Sequence, residues 1–125
     1  MSGNKQFGAL VRRLRQNKQK SDPSYSLRQF AEKVGLSPTF ISKMETGDFD
    51  PPKAENIKKI AELLGYDADE LLALANKIDP NLKDIINKKR SVSMADFLRT
   101  ANGLSEEQLQ KVTEQMNVIK RKDEA

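Results

Sequence analysis

Apolar residues recur along most of this chain at intervals of three and four positions, the spacing that places side chains on one face of an α-helix. The first such group consists of Phe7, Leu10, Val11 and Leu14. Residues that start or stop helices bound the later groups. The pattern predicts eight helices, over about 5–17, 27–34, 38–46, 53–64, 68–75, 80–89, 94–100 and 105–121. No segment alternates with the period of two that a strand requires, so we predict an all-α protein.

The segment VGLSPTFISKMETG predicts a sharp corner between two short helices. Gly35 stands where a helix end requires a positive φ, and Ser37 followed by Pro38 begins the next helix. That helix directs Ile41 and Met44 to one side, and small polar residues with one lysine to the other. Two short helices joined by such a turn form a helix-turn-helix unit. Because an α-helix fits the major groove of B-DNA, the polar side is predicted to read DNA.

Four features follow one another around this corner: Arg15, the segment SLRQFAEKVGLSPTFISKMETG, a loop that contains proline, and the segment IKKIAELLGYDADELL. In this order they resemble the phage-repressor, Cro-like (XRE) helix-turn-helix family over residues 7–72. The positions at the family's spacing are Ala31, Gly35, Ser37, Ile41, Ser42, Glu45 and Gly47. The resemblance implies a five-helix, lambda-repressor-like DNA-binding domain over residues 1–75, with its motif over about 27–46. It also implies a homodimer that binds double-stranded DNA at a palindromic operator.

The resemblance assigns roles to individual residues. The side chains expected to reach base edges are those of Pro38, Thr39 and Lys43. Those expected at the groove wall, near sugars and phosphates, are Phe40 and Ser42. Those expected to contact phosphates are Ser26, Ser37 and Lys53, with Arg28 and Gln29 assisting. Arg15 and Glu45 match a structural ion pair that joins the first helix to the end of the third.

Some positions depart from the family pattern or allow a second interpretation. Leu27 stands where the family often has a glutamine that contacts a phosphate. Pro38 has no donor, so its base contact is apolar, for instance with a thymine methyl group. Asp48 and Asp50 would be repelled by phosphates, and we expect their loop to point away from DNA or to lower nonspecific affinity. Phe40 fits a half-buried core position as well as a DNA-facing one.

Residues 76–125 exceed the minimal domain of this family. In the last predicted helix, the residues spaced by three, four and three positions are Leu109, Val112, Met116 and Ile119. This is a short seam of the coiled-coil type. We expect the C-terminal extension to form a helical dimerisation lobe, and the alternative is that its last helix packs on the chain's own DNA-binding domain.

Charge is unevenly distributed along the chain. Residues 1–47 carry nine basic and three acidic side chains, whereas residues 48–75 carry three basic and seven acidic ones. A basic region beside an acidic one suits a polyanionic partner, although scattered surface charge would give the same counts.

The absence of cysteine and histidine excludes disulfides, thiol or imidazole catalysis and the usual zinc sites. Neither a Gly-rich phosphate loop nor a Ser/His/Asp set is present, so we expect no enzyme, no cofactor and no metal. No apolar segment approaches the roughly 18–20 residues of a membrane span, and the start MSGNKQFGAL lacks the apolar core of a signal peptide. We therefore expect a cytoplasmic, nucleoid-associated protein of a bacterium or phage, without a membrane partner.

Three functions fit these features. The first is a sequence-specific transcriptional regulator, expected to be a repressor that occludes a promoter. The second is an antitoxin that regulates its own transcription by binding DNA and binds a toxin through residues 76–125. The third is an RNA-binding regulator, but the chain lacks the aromatic platform that single-strand recognition uses.

Overall fold

The computed structural model describes residues 3–124, and this part of the chain contains helices and no strand. The helices are α1 (Lys5–Gln19), α2 (Leu27–Val34), α3 (Pro38–Thr46), α4 (Ala54–Leu64), α5 (Ala68–Leu74), α6 (Pro80–Lys88), α7 (Val92–Ala101) and α8 (Glu106–Glu124), with a short 3₁₀ helix over Pro23–Tyr25 between α1 and α2. The predicted all-α class is confirmed. Within the described residues, no helix combines the length and the apolar character needed to cross a membrane.

Local capping signals account for the helix ends that were predicted well. Ser26, Ser37 and Asp67 each accept a hydrogen bond from the amide three residues later, at the starts of α2, α3 and α5. The predicted capping box before α8 is complete: the Ser105 amide donates to Gln108 Oε1 at 2.9 Å, and the Gln108 amide donates to Ser105 Oγ at 3.1 Å. Such caps satisfy amides that the helix itself leaves unpaired.

Other helix ends differ from the prediction. α1 continues to Gln19 rather than ending near Asn17, because the residues that follow its apolar stripe are good helix formers and the first turn signal comes at Asp22. α7 begins at Val92 rather than near Met94, since Ser91 Oγ accepts the Met94 amide at 3.0 Å and acts as its cap. The apolar spacing within α7 alone could not reveal this cap.

The segment between α1 and α2 is mostly polar, but its Tyr25 is buried. The Tyr25 hydroxyl donates to the Leu63 carbonyl at 2.8 Å, and its ring centroid lies 6.0 Å from that of Phe30. Asp22 begins the 3₁₀ helix, and hydrogen bonds from the Ser24 hydroxyl and amide lower the pKa of its carboxyl. The segment is therefore fixed at both ends.

The chain forms two compact units, one up to Lys83 and one from Asp84 onward, a later division than the boundary predicted after Ala75. The first unit has a continuous apolar core. Its fully enclosed large side chains are Phe7, Val11, Phe30, Ile41, Met44, Ile57, Ile60 and Leu71. α1 packs against α3, α4 and α5 and is thus central to this core.

Close packing of α1 on α3 depends on a glycine. A Cβ atom at Gly8 would lie 2.2 Å from the Met44 carbonyl oxygen and 2.7 Å from that of Glu45. These acceptors are backbone atoms near the end of α3, so a larger residue would push the two helices apart. Gly8 therefore sets the distance between α1 and the helix predicted to read DNA.

The second unit contains no buried side chain among its described residues 84–124. Its large apolar residues with exposure of 40% or more are Ile85, Ile86, Val92, Phe97, Leu98, Val118 and Ile119. A helical unit of about forty residues seldom has enough core to fold alone. This unit therefore has apolar surface available to a partner.

Candidate nucleic-acid interface

The corner between α2 and α3 is built from backbone and side-chain caps. Gly35 has a φ of 87° and donates its amide to the Ala31 carbonyl at 2.9 Å, and the Leu36 amide reaches the same carbonyl at 3.0 Å. Ser37 Oγ then accepts the Phe40 amide at 3.0 Å. A residue with a Cβ atom would adopt the conformation of Gly35 only with strain. The turn thus fixes how α3 leaves α2.

α3 has one enclosed and one exposed side. Ile41 and Met44 are 0% exposed within the core, whereas Pro38, Thr39 and Lys43 face solvent. Ser42 is half-buried beside them. The exposed side of the first two turns of α3 therefore forms a polar ridge, which a ligand can contact without displacing core residues.

Phe40 occupies the edge of this ridge. It is half-buried and packs against the core of the first unit. Its ring centroid also lies 5.7 Å from that of Phe49, which is 43% exposed in the loop after α3. The half-buried position is one of the two that the sequence allowed for Phe40, and the other is a contact with DNA.

The start of α2 presents polar groups to solvent. Ser26 Oγ accepts the Gln29 amide at 3.4 Å, while the amides of Leu27 and Arg28 lie in the first turn, where a helix provides no acceptor. The Arg28 and Gln29 side chains are exposed. A helix N-terminus with these groups attracts an anion such as a phosphate.

Lys53 directly precedes α4, although the sequence was interpreted as starting that helix at Lys53 itself. Its backbone is extended and its side chain is exposed and makes no capping hydrogen bond. The ammonium group is thus available to a ligand.

A buried ion pair connects the elements of the corner. Arg15 Nε lies 2.7 Å from Glu45 Oε2, and Arg15 Nη2 lies 2.9 Å from Glu45 Oε1. Arg15 Nη1 also donates to the Tyr25 carbonyl at 3.2 Å. Both paired residues are 5% exposed. One guanidinium group therefore joins α1, the end of α3 and the turn that leads into α2.

The two acidic side chains after α3 bind to their own chain. Asp48 Oδ2 accepts the Thr46 hydroxyl at 3.1 Å, and Asp50 Oδ1 accepts the Gly3 amide at 2.8 Å. Gly47, which directly precedes Asp48, is buried against Lys5. The contacts of Asp50 and Gly47 hold the loop beside the start of α1, whereas that of Asp48 stays within the end of α3.

A cationic groove, which the sequence patterns did not predict, runs along α1 beside the end of α3. Its volume is about 580 Å³, and its lining residues include Lys5, Arg12, Arg13, Gln16, Lys20 and Thr46. Thr46 is exposed on the same side of α3 as Thr39 and Lys43, so the groove continues the polar ridge. Helical spacing of Arg12, Gln16 and Lys20 is the signal that could have indicated it.

The match to a family of known proteins agrees with this geometry. A family described as a helix-turn-helix domain matches residues 8–77, more than half of the chain. No curated protein matched. A solved structure titled SinR protein/SinI protein complex is similar at 20% sequence identity and a TM-score of 0.45, over 92% of this chain and 98% of that one.

The family match covers the corner, the ridge on α3 and the ion pair that fixes them. It confirms the resemblance to the XRE type that the motif around Gly35 carried. Proteins of this type are typically not enzymes. The chain belongs to the helix-turn-helix family, and it is a DNA-binding transcriptional regulator.

Proposed function

We propose that this protein is a sequence-specific repressor that binds a palindromic operator as a homodimer, with α3 in the major groove. One observation carries the proposal: Pro38, Thr39 and Lys43 are exposed on a helix whose opposite side is enclosed in the core. A helix with this division can enter a groove some 12 Å wide while its apolar side remains in the domain.

The ridge on α3 has chemistry suited to base edges. The Lys43 ammonium can donate to guanine O6 or N7, and the Thr39 hydroxyl can donate or accept. Pro38, which lacks a donor, suits the methyl group of thymine. These contacts distinguish sequences, and each is of the kind that contributes about 1–3 kcal/mol of discrimination when well formed.

Other groups would position the domain on the phosphate backbone. The start of α2, with Ser26, Arg28 and Gln29, offers amides and side chains to one phosphate. Ser37 and Lys53 offer two further contacts. The cationic groove along α1 would extend this contact, because it adjoins the ridge at Thr46.

Homodimerisation through the second unit would bring two copies of the DNA-binding domain to the same DNA. Two α3 helices then meet half-sites about 34 Å apart, one turn of DNA. Linking two weak half-site interactions raises the overall affinity without a new contact. Repression follows most directly, because a dimer bound over a promoter occludes the polymerase and needs no further surface.

Selection of bound fragments from a random DNA pool tests the proposal. We expect an inverted repeat with half-sites about 10 base pairs apart, or a multiple of that spacing. A pool that yields no motif would reject sequence-specific binding, and a motif without symmetry would reject the dimer on a palindrome.

The exposed apolar residues of the second unit also favour a second candidate, an antitoxin whose partner covers them. In that case the same DNA-binding domain regulates its own transcription, and the apolar surface binds a toxin. Purification of the tagged chain from its natural host separates the two functions. A stoichiometric small protein that arrests growth when expressed alone would support the antitoxin, and its absence would favour the homodimeric repressor.

A further inference from the structure

The apolar seam of α8 becomes more exposed toward the end of the helix. Leu109 and Val112 are half-buried, whereas Met116 is 38% and Ile119 is 60% exposed. In the heptad repeat, Leu109 and Met116 occupy position a, and Val112 and Ile119 occupy position d. The described part of the chain therefore covers the first half of the seam better than the second.

An apolar groove lies between α7 and α8, beside the first half of this seam. Its volume is about 170 Å³, comparable with apolar cavities of roughly 150 Å³ that accept a benzene-sized group. Its lining residues are Phe97, Thr100, Ala101, Leu104, Leu109, Val112, Thr113 and Met116. A single large aliphatic side chain would occupy much of it.

The charges of α8 are separated along the helix. Its first turn carries Glu106 and Glu107, and a basic cluster of Lys120, Arg121 and Lys122 lies near its other end, followed by Asp123 and Glu124. The acidic first turn therefore complements the basic cluster at 120–122 of an identical helix. This separation gives α8 a preferred direction when it pairs with a copy of itself.

We propose that α8 pairs antiparallel with α8 of a second copy, in the register that places Leu109 opposite Ile119 and Val112 opposite Met116 of that copy. The inference rests on the homodimer proposed above and specifies its interface. The register is centred on Glu114, which lies on the outer side of the helix. It brings the exposed half of each seam against the better-covered half of the other.

This register also pairs opposite charges. Glu106 and Lys120 are both e positions, and antiparallel pairing sets Glu106 of one copy beside Lys120 of the other at both ends of the interface. In parallel pairing the flanking g and e positions bring Gln115 to Lys120 and Gln108 to Thr113, so no opposite charges meet. Both orientations bury the same seam, and the charges together with the helix dipoles decide between them.

The apolar groove between α7 and α8 also takes part in the proposed interface. Because Leu109 lines the groove, the register brings Ile119 of the second copy to its mouth. The most exposed seam residue of one copy thereby finds an apolar site on the other. Two α7–α8 hairpins would form a four-helix bundle in this way.

Cysteine cross-linking tests the register in the full chain, which has no cysteine of its own. The variants Glu106→Cys and Lys120→Cys are co-expressed with different tags and oxidised mildly. We expect a disulfide between positions 106 and 120 of two copies, identified by mass spectrometry of the linked peptides. In a parallel dimer these positions lie roughly 21 Å apart along the axis, since a helix rises about 1.5 Å per residue.

The matched control pairs Glu114→Cys with Arg121→Cys, two positions on the outer side of the helix, and is expected to give no specific cross-link. A dimer by light scattering without the 106–120 disulfide would overturn the register but leave the homodimer. A chain that stays monomeric at micromolar concentration would overturn both. DNA binding is measured separately and shows whether the variants still bind DNA, whatever the outcome for the dimer.

Charge reversal provides a second measurement. Glu106→Lys places like charges together at both ends and is expected to weaken dimerisation on the order of tenfold, and adding Lys120→Glu should restore it. The control variants Glu114→Lys and Arg121→Glu should leave the dimer dissociation constant unchanged within about twofold. Equal effects of the paired and control changes would overturn the proposed pair.

Discussion

Thr39 and Lys43 illustrate what an exposed residue can contribute. Neither side chain belongs to the core, so each can be removed without loss of packing. We expect Thr39→Ala and Lys43→Ala each to weaken operator binding by about 1–3 kcal/mol, with no change in the melting temperature. Fluorescence anisotropy on the selected operator and thermal unfolding measure the two effects.

Lys59→Ala is the matched control for this pair, because Lys59 is an exposed lysine of the same domain outside α3. Its binding should equal that of the unchanged protein. Should Thr39→Ala and Lys43→Ala also bind normally, α3 does not read the operator.

Arg15 and Glu45 illustrate the opposite case, a charged pair within the core. Removing one partner leaves the other buried without compensation, which costs about 3–5 kcal/mol. Arg15→Met also deprives the Tyr25 carbonyl of its donor. We expect Arg15→Met to lower the free energy of unfolding by that amount in urea titrations.

The double variant Arg15→Met with Glu45→Met is the control for this prediction. Apolar side chains of similar size often replace a buried ion pair at little cost, so the double variant should be more stable than Arg15→Met alone. A loss below about 1 kcal/mol for Arg15→Met would mean that the pair behaves like an exposed one.

At the scale of the helices, the ends of α2 and α3 were predictable from sequence because they depend on neighbouring residues. Ser26, Ser37, Gly35 and Gly47 cap these helices through bonds that span a few positions. The start of α7 was missed because its cap, Ser91, precedes the apolar pattern. The groove along α1 was missed because it requires α1 and α3 to be adjacent.

That groove gives a prediction about salt. If Arg12 and Lys20 contact phosphates, binding releases their counterions, and each contact contributes about 0.9 to the slope of log K against log salt. We expect Arg12→Gln with Lys20→Gln to reduce the slope by about 2 without altering the preferred sequence. Binding titrations at several salt concentrations measure it.

The control for the salt prediction replaces two exposed lysines outside the groove, Lys59→Gln with Lys77→Gln. This variant loses the same charge and should keep nearly the full slope. A slope that is unaffected by the groove variant would show that DNA does not reach α1.

At the scale of the whole molecule, the two units are expected to have different functions, DNA binding in the first and dimerisation in the second. The first unit contains the ridge on α3 and the apolar core. Two contacts hold its C-terminal end. The Asn4 side-chain amide donates to the Leu74 carbonyl at 2.9 Å, and Lys58 forms an ion pair with Asp79 at 3.1 Å. The Asn81 amide and Lys58 lower the pKa of Asp79. A truncation after Lys83 retains all of these groups, whereas one after Ala75 would remove Asp79.

We expect the chain truncated after Lys83 to remain folded, to be monomeric and to bind a half-site more weakly than the full chain binds its operator. The reason is that it keeps the core and loses the second unit. Circular dichroism, light scattering and operator titration measure the three properties. A truncated chain that still dimerises would place the dimer interface in the first unit.

The sequence by itself determined the helical class, the corner at Gly35 and the family, because these depend on caps, glycines and apolar spacing within a few turns. It also determined the seam of α8, which is a pattern on one helix. Only the tertiary structure decided which distant groups meet. Arg15 and Glu45 lie 30 positions apart, Gly8 fits only because α3 crosses it, and the cationic groove exists only between two packed helices. Such contacts arise from the packing of the whole core, which local patterns do not specify.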